Sequence, residues 1–179
     1  MIYMFLANGF EEIEALAVLD IIRRAELEIK TVGVNSLEIT GAHGVTVKSD
    51  MEIKDISTDD MEMIILPGGM PGTLNLEHDA IVKTCISYCI NHDKFICAIC
   101  AAPSILGHMG LLSGKNAVCF EGFESELKGA NVKDDRLCVD GKIITAKAAG
   151  VSFEFGLKIV EEFLSLEVAE KVKSSMLIK

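Results

Sequence analysis

A chain of 179 residues carries 17 Lys and Arg against 27 Asp and Glu, a formal charge of −10. That balance repels nucleic acid and anionic lipid, and no Lys/Arg cluster reverses it locally, so neither a nucleic-acid partner nor a membrane-surface role is expected. Half the residues are hydrophobic and a quarter are charged, which suits one globular domain over residues 1–179 that needs no metal or disulfide to hold its core.

Ile2–Ala7 is a short apolar run with no basic segment before it, and Glu11 and Glu12 follow at once, so it does not read as an export signal. No stretch has the length of a membrane span. The six cysteines, Cys85, Cys89, Cys97, Cys100, Cys119 and Cys138, fall mostly in apolar runs. That is the pattern of buried, reduced thiols in a cytoplasmic protein.

In chain order, Ile2–Ala7 reads as a buried strand and Phe10–Ala25 as a helix ending near Arg23 and Arg24. Glu28–Val34 reads as the next strand, residues 37–54 as an excursion of short strands, and Glu62–Leu66 as a core strand closed by Pro67-Gly68-Gly69. Ala80–Ile90 reads as a helix, Lys94–Ile99 as a strand and Ala101–Leu112 as a helix. Asp140-Gly141, between Arg136–Val139 and Lys142–Ala146, signals a hairpin of the type I′ kind. Val151–Leu164 and Val168–Met176 close the chain as helices. Alternation of strand and helix with continuous apolar strands predicts a doubly wound, mostly parallel α/β sheet. Function in such sheets collects beyond the C-terminal strand ends, here residues 8–14, 67–73 and 99–104.

Within Phe95–Ser104, Cys100 sits where strand gives way to helix, with Ala98 two before it and Ala102 two after. This small-x-nucleophile-x-small spacing is that of a nucleophile elbow, with Ala in place of Gly. The free N–H groups of the following helix favour thiolate, and Pro103 suits the first helical turn. A cysteine in an apolar run is ordinarily packing; the elbow position favours a reactive Cys100. A Cys97–Cys100 disulfide is not expected, because three extended residues span about 10 Å and point the side chains to opposite faces.

Phe10, Ile13, Ala17, Val18, Ile21 and Ala25 recur at helical spacing, and Glu14 falls on that stripe while Glu11 and Glu12 lie off it. Glu14 reads either as a satisfied carboxylate at a helix start or as a buried carboxyl with a raised pKa that hydrogen-bonds a thiolate. Gly68 and Gly69 let backbone N–H groups approach a ligand and, with the N–H of Ala101, form a candidate oxyanion site beside Cys100. No phosphate-binding glycine spacing, zinc-ligand spacing or catalytic setting for the four histidines is present, so neither cofactor nor metal is expected. His108 lies two turns into the helix after Cys100, and His43, His78 and His92 fall in polar loops or helix ends.

The segments Ala7–Glu14, Leu66–Gly69, Ala98–Pro103 and Ser152–Phe155 together resemble the ThiJ/PfpI superfamily, most closely its DJ-1 branch. The resemblance implies a flavodoxin-like three-layer α/β sandwich and a homodimer. It implies that Cys100 is an oxidisable nucleophile, Glu14 its protonated partner, and Gly69 and Ala101 the oxyanion donors. It also implies either cofactor-free glyoxalase or deglycase action on methylglyoxal or glycated products, or oxidative-stress sensing with chaperone action. Some relatives carry a label for thiazole monophosphate biosynthesis, for which these residues offer no chemical basis. The sequence departs from the family at Phe120, where many members place His or Tyr, and at Lys147–Gly150, which lacks the family's Pro.

Overall fold

The computed structural model describes residues 1–178. Strand β1 (Ile2–Leu6) leads into helix α1 (Glu12–Arg24), then β2 (Ile29–Gly33) and the short strands β3 (Glu38–Thr40), β4 (Thr46–Lys48) and β5 (Met51–Glu52). After β6 (Met63–Leu66) come α2 (Gly72–His78), α3 (Ala80–Asn91), β7 (Phe95–Ile99) and α4 (Pro103–His108). The chain continues through β8 (Asn116–Ala117), β9 (Asn131–Val132), β10 (Leu137–Asp140) and β11 (Ile143–Ala146) to α5 (Ser152–Phe163) and α6 (Leu166–Ser175).

Seven strands form one sheet in the order β10-β11-β7-β6-β1-β2-β5, parallel throughout except for the β10–β11 hairpin. Side chains alternate between its faces as the pleat requires. Ile2, Met4, Leu6, Met63, Ile65, Cys97 and Ile99 pack with α1, α5 and α6 on one side. Tyr3, Phe5, Ile64, Leu66, Ile96 and Ala98 pack with α2, α3 and α4 on the other. Covered on both faces, β1, β6 and β7 are buried at every position, which explains their unbroken apolar runs. The result is the flavodoxin-like three-layer arrangement. Among the described residues, no helix is long and apolar enough to cross a membrane.

Four details depart from the sequence reading. Helix α1 starts at Glu12 with Glu11 as its cap, so Phe10 lies outside the helix and the buried phase is Ala15, Val18, Ile21 and Ile22. Ile13, expected in the stripe, is 53% exposed. Helix α4 ends at His108 rather than Leu112, where Gly110 takes a positive φ of 72°. The 136–146 hairpin forms, but Asp140 pairs with Ile143 inside the ladder, so its turn is Gly141-Lys142. Only Gly141 has a positive φ, at 61°, the type II′ pattern rather than I′. Helix α2 has no counterpart in the sequence reading, because the glycines and prolines of residues 67–72 mask its start.

Phe155 of α5 is fully buried between that helix and the sheet. Phe155→Ala is expected to cost about 3–5 kcal/mol, seen as a lower denaturant midpoint in equilibrium unfolding. An unchanged midpoint contradicts this packing.

Candidate active site

The sheet reverses its winding at β1, with β2 on one side and β6 on the other. Beyond the C-terminal ends of β1, β6 and β7 lie Glu14, Gly68–Gly69 and Cys100, the crevice where this class of sheet holds its chemistry. The structure therefore brings together all five residues singled out from the sequence: Glu14, Gly68, Gly69, Cys100 and Ala101.

Cys100 follows the last residue of β7 with φ at +65°, a backbone region that residues with side chains rarely occupy. Its N–H donates to the Ala146 carbonyl at 2.9 Å, and its carbonyl accepts from the Phe120 N–H at 2.8 Å. The Ala102 N–H donates back to the Ile99 carbonyl at 3.1 Å, turning the chain into α4, which begins at Pro103. These bonds hold the strained residue in place, the geometry of a nucleophile elbow. Ala98 and Ala102 are fully buried where strand and helix converge, the positions an elbow fills with small residues.

Glu14 is the third residue of α1, and its N–H donates to the capping carboxylate of Glu11 at 2.7 Å. Its side chain is only 1% exposed, and its Oε2 accepts from the Gly68 N–H at 2.9 Å. Burial pushes the Glu14 carboxyl up to about 7, against the opposing pull of hydrogen bonds from Cys100, Gly68 and Ala149. Of the two sequence readings of Glu14, the buried carboxyl with a raised pKa describes its surroundings.

Burial also raises the Cys100 thiol, and the facing Glu14 charge adds to the rise. The N–H groups of Ala101 and Gly69 act in the opposite sense by favouring the charged sulfur. The expected thiolate bias from the helix start is thus outweighed, because α4 begins three residues after Cys100 while the carboxyl lies against it. The two acids titrate as one coupled pair, and the second proton leaves only against the charge left by the first. Burial likewise raises Cys85 to about 11, Cys89 to about 12 and Cys119 to about 11. Backbone geometry and the carboxyl partner distinguish Cys100, not a greater acidity.

Gly68, expected among the oxyanion donors, has its N–H committed to Glu14, which leaves Gly69 and Ala101 facing the sulfur. Its lack of a side chain serves close approach instead. A Cβ there would lie 2.7 Å from the Cys100 Cβ, 2.7 Å from Glu14 Oε2 and 2.9 Å from the Ile99 carbonyl. All six cysteines are free, and Cys97 is buried in the core.

Two histidine contacts escaped the sequence reading. His43, otherwise exposed, places Nδ1 2.9 Å from Glu12, whose other oxygen accepts the His43 and Val45 N–H groups. Glu11, Glu12 and His43 form the one group of metal-type ligands among the described residues. Both Glu12 oxygens, and the Glu11 oxygen that caps α1, are already engaged by protein donors. His108 lies between Glu77 and Glu126. Both contacts join residues about 20–30 apart in sequence, where no local pattern operates.

Gly68→Ala is expected to force Glu14 and Cys100 apart and to cost about 1–3 kcal/mol, read by chemical unfolding. Stability equal to the parent contradicts the close approach. The raised Glu14 pKa means that the folded state holds this proton more tightly than the unfolded chain. Its contribution therefore falls as pH rises from 4.5 to about 7, by about 3 kcal/mol. Subtracting the pH–stability profile of Glu14→Gln from that of the parent isolates this slope; a flat difference contradicts it.

The sequence model of the DJ-1/PfpI family matches residues 1–162. Protein DJ-1 homolog B of Arabidopsis thaliana is 31% identical over 97% of this chain, which spans 40% of that relative's length. The glutathione-independent glyoxalase DJR-1.2 of Caenorhabditis elegans is 30% identical over 92% of this chain and 87% of its own length. The solved structure of oxidized DJ-1 of Toxoplasma gondii superposes with a TM-score of 0.94 at 31% identity, covering 98% of this chain and 97% of that one. This chain belongs to the DJ-1/PfpI family.

Proposed function

We propose that this protein is a cysteine-dependent, cofactor-free glyoxalase that converts small 2-oxoaldehydes such as methylglyoxal to 2-hydroxy acids. The observation that carries the reading is the buried Glu14 carboxyl, with a pKa near 7, hydrogen-bonded to a cysteine on a strained elbow. A carboxyl with that pKa can both give and accept a proton near neutrality. The relative that carries the name glutathione-independent glyoxalase supports the same choice.

In this mechanism Glu14 takes the Cys100 proton as the sulfur adds to the aldehyde carbon, forming a C–S bond and an oxyanion. The N–H groups of Gly69 and Ala101 hold that oxyanion, and Glu14 returns the proton to it, giving a hemithioacetal. The ionised Glu14 then removes the hydrogen from the carbon attached to sulfur and delivers a proton to the neighbouring carbon. The former carbonyl oxygen gains the proton that the hemithioacetal hydroxyl loses. This gives the thioester of a 2-hydroxy acid on Cys100. Water cleaves the thioester and restores the thiol, so methylglyoxal plus water becomes lactate with no external oxidant or reductant. The same addition to an aldehyde-derived adduct would let the site act on glycated products.

A second reading is a redox sensor. It is favoured by the partial exposure of Cys100 beside a carboxyl able to hydrogen-bond an oxidised sulfur. Here peroxide transfers oxygen to Cys100, giving sulfenic and then sulfinic acid with water released at each step. We place the protein in the cytoplasm, a compartment that keeps its six cysteines free, and take it to work as a homodimer.

The deciding measurement is methylglyoxal consumption with lactate formation in the absence of glutathione. Cys100→Ser is expected to fall to the uncatalysed rate, and Glu14→Gln to lose about 10²–10⁴-fold. Full activity in either variant refutes the mechanism. Absence of turnover in the parent, with peroxide oxygen localised to Cys100 by mass spectrometry, selects the sensor.

A further inference from the structure

We propose that His108 is a positioning residue for the Cys100 site, a charged clamp that ties helix α2 and the 120–126 segment to helix α4. The proposal rests on Cys100 being the site's reactive group and does not depend on turnover of any aldehyde.

His108 is the last residue of α4, which grows out of the elbow, and so lies about 12 Å along the chain's path from Cys100. Its Nδ1 lies 2.5 Å from Oε1 of Glu77, and its Nε2 lies 2.8 Å from Oε2 of Glu126. Carboxylates accept hydrogen bonds, and a neutral imidazole has one N–H to give. Both contacts are satisfied together only by the imidazolium, with a proton on each nitrogen. Neutral His108 would turn a lone pair toward one of the carboxylates.

The two carboxylates belong to the arms that frame the site. Glu77 lies on α2, and the Thr73 N–H of that helix donates to the carbonyl of Gly69 at 2.9 Å. Glu126 closes the segment that begins at Phe120, whose N–H donates to the Cys100 carbonyl at 2.8 Å. That segment is therefore fastened to the nucleophile's own backbone at one end and to His108 at the other. The seam beside the clamp is tight: a Cβ on Gly107 would lie 2.1 Å from the Glu126 carbonyl.

The groups facing His108 are Glu77 from α2 and Glu126 from the 120–126 segment. Ser125 donates to the other Glu126 oxygen at 3.3 Å, and Lys128 also favours the Glu126 charge. The side chains of His108, Glu77 and Glu126 are 30%, 19% and 43% exposed, so the clamp is partly screened by water. The hydrogen bonds to Glu126 and Glu77 raise the His108 pKa, so the clamp is fully closed below the ordinary imidazole value near 6.5. It opens as pH rises through the raised value, freeing the arms on the alkaline side.

The test compares iodoacetamide modification of Cys100, mapped by mass spectrometry, in the parent and in His108→Gln across pH 6 to 9. Taking the ratio of the two rates cancels the titration of Cys100 common to both. The variant is expected to react about threefold to tenfold faster at pH 6, from freer local opening, and to approach the parent as pH rises through the raised His108 value. A ratio of one throughout, or a ratio independent of pH, overturns the proposal. Ring-nitrogen NMR of the parent is expected to show both His108 nitrogens protonated at pH 6, below the ordinary imidazole value, with Glu126→Gln lowering that titration; a neutral ring at pH 6 overturns it too. The NMR readings stand if His108→Gln fails to fold. Loss of methylglyoxal turnover would count against the enzyme reading alone, because none of these measurements uses it.

Discussion

A carboxyl buried beside a thiol is the constraint on which the rest of this molecule depends. Glu14 is withdrawn from water and receives the Gly68 N–H, while Cys100 faces it from the end of β7. Two acids so placed cannot both ionise cheaply in a poorly solvated site. The fold must therefore hold them out of water with a proton shared between them. It does so with rigid parts: buried parallel strands, a capped helix, and an elbow tied by the carbonyls of Ala146 and Ile99.

The same constraint explains the choice of small residues. Gly68 is the point where three chain segments meet within contact distance, so any side chain there collides with the reacting pair or with the Ile99 carbonyl. Ala98 and Ala102 fulfil the equivalent need on the strand and helix sides of Cys100. Gly69, with φ at +91°, turns its N–H toward the sulfur in a conformation that a larger residue resists. Packing and chemistry are one requirement at these positions.

The parts of this design that were legible in the sequence are those carried by local periodicity. Apolar runs located β1, β6 and β7, and the small-x-Cys-x-small spacing located the elbow at Cys100. Glu14 stood out because it shares the phase of Val18 and Ile21. The reading failed where position in space overrides pattern. Phe10 seemed to begin the helical stripe, but Glu11 caps the helix after it, and Ile13 turns outward as a result. The commitment of the Gly68 N–H, the burial of Glu12 under His43, and the bridging role of His108 depend on partners from distant segments. Helix α2 was hidden because glycine and proline announce a turn and are silent about the helix after it.

The ends of the main sheet have a consequence for how this protein can meet other chains. On one side the last strand, β5, contributes two residues. On the other, the outer strand β10 is flanked by the 115–116 segment, where the Asn116 N–H donates to Asp140 at 2.9 Å and the Lys115 ammonium lies 3.3 Å from the same carboxylate. Among the described residues, both borders of the sheet are short strands. A foreign strand would find only short edges to pair with, two residues at β5 and four at β10, and short edges are one way a sheet avoids open-ended stacking.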